Sequence, residues 1–272
     1  MKKNKYFLVI GSVIVICIIT LIIGRHFQGN AKSLAKQQLP ADPDMLEIPL
    51  FTANRSGQTI EHCAYTVSYN EQWRIPNWVA YELTREEASG TLPRGQFFVP
   101  DPDVKGATAQ YYDYKDSGFD HGHMAPAGDM KWDHQAMEEC FYLSNICPQD
   151  HDLNSGDWRI LEERIRGWAR QYQSIYIVCG PVMFDHPQTI GPHHVAVPDG
   201  FFKVILCKIR GEWNAVGFYF ENKPGHKPLR DYCKSIDEME RLTGMDFFAP
   251  LDDSIENRIE AAYDTQAWGL AR

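Results

Sequence analysis

Positive charge is in short supply in this chain. Its 272 residues hold 27 Lys and Arg against 36 Asp and Glu, a formal balance of −9. Proteins that hold nucleic acid through their whole surface are basic, because phosphate neutralisation dominates their affinity. The balance argues mildly against that mode and leaves room for an enzyme with a local basic cleft and a metal ion. Clustered cysteine is missing as well. The seven cysteines are scattered, with no C-x-x-C pair and no framework spacing, which argues against a disulfide-stapled fold. Cys179 and Cys207 sit in apolar runs and read as small core residues. Mostly buried thiols are expected, with room for one disulfide. Internal repeats and low-complexity tracts are absent. Apolar residues at 44% and aromatics at 12% exclude a disordered chain and suffice for a sizeable core.

Acidic side chains are absent from the first 24 positions. An apolar run from Phe7 to Ile23 follows Lys2, Lys3 and Lys5. As a helix, such a run would span about 26 Å, enough for the hydrocarbon core of a bilayer. The lysines would stay cytoplasmic. Gly24-Arg25-His26-Phe27 is a poor cleavage site. Residues 1–24 are therefore expected to be an N-terminal transmembrane signal anchor, 25–58 a polar linker and 59–272 the working domain. The domain would be exported and membrane-anchored, or secreted if the anchor is cleaved.

Period-two and apolar runs predict strands over 63–69, 78–83, 174–182, 201–209 and 213–220. Helical periodicity covers 154–172, with Leu161, Ile165 and Trp168 on one stripe. Further helices are expected over 229–242, ended by Gly244, and over 253–263, capped by Asp253 or Ser254. Residues 85–119 read as a long loop. The sum is an α+β fold with a mainly antiparallel sheet and packed helices.

Two segments carry chemistry. Residues 120–130 read Asp-His-Gly-His-Met-Ala-Pro-Ala-Gly-Asp-Met, and Ser144-Asn145-Ile-Cys-Pro-Gln149 is followed by Leu153-Asn154, Trp158 and Leu161-Glu162. An imidazole takes a proton from water near neutral pH, and His123 is the candidate base. A hard cation such as Mg²⁺ prefers oxygen ligands and keeps several waters. Asn154 offers an amide oxygen and Glu162 a carboxylate that reaches the ion through water. Asn154, Trp158, Glu162 and Arg166 are four apart and share a helical stripe. Taken singly, Asn154 reads as a helix N-cap and Glu162–Arg166 as a surface ion pair. His121 and His123 share a strand face, so a zinc hydrolase of another ester is an alternative, although no third ligand follows at sensible spacing.

The ordered set resembles the DNA/RNA non-specific endonucleases, the ββα-metal nucleases that include endonuclease G. It comprises Asp120-His-Gly-His123, Ala125-Pro-Ala127, Ser144-Asn145, Pro148-Gln149, Leu153-Asn154, Trp158 and Leu161-Glu162. Trp78–Tyr81, Gly180-Pro181, Phe202–Val204 and Thr243-Gly244 extend the likeness over roughly residues 60–260. The resemblance implies a ββα-metal motif and hydrolysis of DNA and RNA with Mg²⁺, for which Mn²⁺ substitutes. It implies His123 as base, Asn154 as metal ligand, Glu162 as holder of metal-bound water and Asn145 as an orienting asparagine. Arg94 and Arg166 would face phosphate, and Asp120 opens the motif. His121 stands where the family usually has arginine. Activity is expected to survive this change; the alternative is a catalytically impaired nucleic-acid binder on the same scaffold.

Overall fold

The computed structural model describes residues 45–51, 56–184 and 187–270. The expected anchor at 1–24 lies outside them. Strands β1 (Gln58–Glu61), β2 (Thr66–Asn70), β3 (Ile75–Thr84), β4 (Asp120–His123), β5 (Ile146–Gln149), β6 (Ser174–Val182), β7 (Gly200–Ile209), β8 (Glu212–Glu221) and β9 (Cys233–Lys234) carry the architecture. β4 and β5 make a separate hairpin. The other seven form one antiparallel sheet in the order β9-β8-β7-β6-β3-β2-β1. The helices are α1 (His134–Glu139), α2 (Arg159–Tyr172), α3 (Ile236–Thr243) and α4 (Asp253–Ala261).

Alternation along the central strands explains the two cores. Val79, Tyr81 and Leu83 of β3 join Ile175, Ile177 and Cys179 of β6 in one cluster, with Leu161, Ile165 and Trp168 of α2. Trp78, Ala80 and Val178 point the other way, toward Ile236, Met239 and Ile259 of α3 and α4. Successive residues face opposite sides of a sheet. With both sides covered, the strands read as nearly unbroken apolar runs.

Some expected elements change. The helix foreseen over 229–242 starts only at Ile236. Ser235 Oγ accepts from Glu238 N at 3.2 Å while the Glu238 carboxylate accepts from Ser235 N at 2.9 Å, a capping box that overrides the apolar period before it. Leu229–Tyr232 is a 3₁₀ turn leading into β9. Gly244 ends α3 at φ 69°, the left-handed conformation that glycine adopts at least cost. Asp252, not Asp253 or Ser254, is the N-cap of α4. Helix α1 is an addition, started by Asp133, whose carboxylate accepts from Gln135 N at 2.7 Å and Ala136 N at 3.0 Å. Within the stretch read as linker, Leu50–Phe51 pairs with Met245–Asp246.

All six cysteines among the described residues are free thiols, five of them buried and Cys63 exposed. No helix among the described residues is long and apolar enough to cross a membrane.

Candidate active site

The β4–β5 hairpin pairs His123 with Ile146 and His121 with Pro148. Both imidazoles therefore share one face. The chain leaving His123 is fixed by Asn145. Its Oδ1 accepts from Ala125 N at 2.9 Å, and its Nδ2 donates to the carbonyls of Ala125 at 2.9 Å and Cys140 at 2.8 Å. Asn145 is fully buried and spends its amide on backbone. Two more donors hold the same turn. Trp158 Nε1 donates to the His123 carbonyl at 3.3 Å, and the buried Lys203 ammonium donates to the Met124 carbonyl at 3.3 Å. Lys203 also lies 4.5 Å over the Trp158 ring.

The helix side departs from the simple stripe. Asp150 caps a short turn, His151–Leu153, by accepting from Asp152 N and Leu153 N at 3.0 Å. The next five residues, Asn154–Trp158, are broken by a kink at Gly156 (φ −103°, ψ −112°), and α2 follows. The kink breaks the helical register between Asn154 and α2. Arg159, not Trp158, then falls beneath Asn154, followed by Glu162, Glu163 and Arg166. Trp158 points inward instead, against Phe201 and Phe220. The Asn154 Nδ2 donates to Asp120 Oδ2 at 2.9 Å, and the same oxygen lies 2.9 Å from His151 Nδ1.

One cavity of about 370 Å³ is lined by Arg94, His121, His123, Pro126, Ala127, Gly128, Lys131, Asn154, Ser155, Arg159, Glu162, Glu163 and Arg166. It brings together His123, Asn154, Glu162, Arg94 and Arg166. Asn145 and Asp120 stand behind it. Four cationic side chains meet two carboxylates there, a local balance of 4 − 2 = +2 in a chain of −9. Arg166 donates to the buried Asp129 at 2.7 Å, which also accepts from Tyr81 Oη at 2.9 Å. Arg159 pairs with Glu163. Arg94 packs its guanidinium 5.2 Å from the Phe141 ring centre.

His123 is 7% exposed, and its Nε2 has no hydrogen-bond partner. Burial, with Arg94 and His121 adding to it, lowers its pKa to about 3. The ring is neutral at physiological pH. Glu162 is pushed the other way, to about 7, by burial; Lys203 opposes the shift and Asp129 adds to it. The Asn154 amide is tied through its nitrogen, leaving its oxygen to the cavity. That oxygen and the Glu162 carboxylate form an all-oxygen donor set in a cleft open to water. This chemistry fits a hard divalent cation.

His121 is held differently from an arginine. Its ring stacks on Phe98 at 4.3 Å and Tyr114 at 4.1 Å, with Tyr111 nearly parallel at 5.3 Å. Burial lowers its pKa to about 4. Among the described residues, the groups of three or more potential metal-binding side chains that converge are acidic sets around Glu260, and neither contains a histidine. Nothing in that arrangement favours the zinc alternative. Lys131 and Arg159 were not foreseen as cavity residues. The kink at Gly156 delivers Arg159, and only the fold brings Lys131 in.

The sequence pattern of the DNA/RNA non-specific endonuclease family matches residues 43–254. Nuclease EXOG, mitochondrial, of Mus musculus is 35% identical over 226 residues, covering 76% of this chain and 61% of the relative. Endonuclease G, mitochondrial, of Homo sapiens is 34% identical over 199 residues, covering 68% of this chain and 67% of the relative. The chain thus spans about three fifths of the length of the EXOG relatives it matches. A crystal structure of the EndoG/EndoGI complex superposes with a TM-score of 0.68 at 28% identity, covering 74% of this chain and 91% of that one. The relatives are named as mitochondrial nucleases. That finding overturns the expectation of an exported, membrane-anchored protein.

Proposed function

The chain belongs to the DNA/RNA non-specific endonuclease family, and on that premise we propose that it is a Mg²⁺-dependent, sugar-non-specific endonuclease that hydrolyses phosphodiester bonds of DNA and RNA. The observation that carries this reading is a neutral imidazole, that of His123, lining the same cavity as Asn154 and Glu162.

His123 takes a proton from a water, which attacks phosphorus in line with the departing 3′ oxygen. The backbone clasp of Asn145, Trp158 and Lys203 keeps the ring from drifting as charge shifts. Asp120 holds the amide of Asn154 so that its oxygen faces the cleft. Asn154 and Glu162 are the residues that would hold the cation, Glu162 through water; when bound, it would supply positive charge for the phosphoryl and leaving oxygens. Mn²⁺ substitutes for Mg²⁺. Arg94 and Arg166 place guanidinium groups toward the added negative charge. The departing oxygen takes its proton from the solvent side, and the family likeness implies 5′-phosphate and 3′-hydroxyl ends. Contacts that read phosphate rather than base edges carry little sequence preference.

The test is cleavage of plasmid DNA and of RNA with Mg²⁺, with EDTA, and by His123→Ala. Loss of a positioned base costs about 10²–10⁴-fold in kcat. EDTA should stop cutting. Turnover by His123→Ala equal to that of the unaltered protein would remove this reading.

A further inference from the structure

A turn at Tyr111–Asp113 stands beside the cavity, and the mechanism makes no use of it. Tyr111 is 60% exposed. Single exposed aromatics are ordinary on protein surfaces, so exposure alone carries nothing. The setting of this one is different. Its ring lies 5.3 Å from that of His121 with only 16° between the planes, and His121 lines the cavity next to His123. Phe98 and Tyr114 stack on the same imidazole. The turn is also rigid. The buried Asp113 accepts from Gln110 N at 2.7 Å and from His193 N at 3.1 Å. An aromatic face held this way gives up little freedom when something stacks on it.

Such a face suits a flat, polarisable ring. We propose that Tyr111, backed by the His121 stack, is a stacking shelf for one unpaired nucleobase beside the scissile phosphate. This inference rests on the nuclease reading and narrows its substrate. Bases in a duplex are already stacked and turned inward, whereas a single strand offers its bases freely. The shelf therefore favours single-stranded DNA or RNA, whose nucleobases have the same flat faces. A titratable ring stacked between aromatics stands where a guanidinium is usual, so grip on the strand moves from charge toward stacking.

The test compares the unaltered protein with Tyr111→Ala and Tyr111→Phe. In EDTA, each is titrated into a short single strand carrying 2-aminopurine, whose emission falls when it stacks. With Mg²⁺, kcat/KM is measured on single-stranded DNA, single-stranded RNA and duplex DNA. Tyr111→Ala should lose the quench and about tenfold in kcat/KM on both single strands, mainly through KM, and stay within about twofold on the duplex. Tyr111→Phe should retain both properties. Equal quenching by the unaltered protein and Tyr111→Ala overturns the shelf, as does a loss as large on duplex as on single strands. Cutting that ignores His123→Ala would sink the nuclease reading alone, because the quench needs no cleavage and still judges the shelf.

Discussion

His123 shows how one side chain carries both stability and chemistry. Its folded-state pKa of about 3 lies below the 6.5 of an unfolded histidine, with burial as the first cause. The unfolded chain therefore binds a proton that the folded chain refuses. The contribution is intact above pH 6.5 and falls as the pH drops toward 3. At pH 5 the loss is about 2 kcal/mol relative to neutral pH. Urea unfolding at pH 7 and pH 5 should show the unaltered protein losing more stability than His123→Gln, by about that amount. An equal loss would mean that the ring is not held neutral. Asn145 is a second residue whose value lies in what it satisfies. Asn145→Ala strands the Ala125 N–H and two carbonyls in a dry interior. A cost of about 2–4 kcal/mol follows, read from a shifted denaturation midpoint.

Among elements, what was legible followed from local rules. The strand over 174–182 and the buried stripe Leu161, Ile165, Trp168 emerge as read, because alternation and helical period act over a few residues. The 229–242 region misled, since an apolar period says nothing about where a cap will start the helix, and Ser235 with Glu238 decides that. The kink at Gly156 has no periodic signature at all. It moves Trp158 from the cavity to the core and puts Arg159 in its place. The chemical types at His123, Asn154 and Glu162 were readable because few residue types serve those tasks. Their company was not: Lys131 reaches the cavity from outside both motifs, and the Tyr111 turn beside His121 is anchored by the distant pairing of buried Asp113 with His193.

Across the whole molecule, an acidic protein has gathered a basic pocket. Arg159 and Arg166 are engaged by Glu163 and Asp129. Arg94 and Lys131 have no ion pair among the described residues, so few charges are free for phosphate. Binding to a single strand in EDTA, followed across KCl concentrations, should give a log–log slope of about −1.4. A slope of about −6 would mean a far wider electrostatic footprint. The −9 background repels the strand beyond the pocket, which suits release after each cut.

The thiols carry a consequence for where the fold can persist. With no sulfur bridge among its described residues, the domain owes nothing to an oxidising milieu, and dithiothreitol should leave its melting curve unmoved. A maleimide applied to the native domain should tag Cys63 and spare the five sequestered partners, until denaturant opens the cores and surrenders them all.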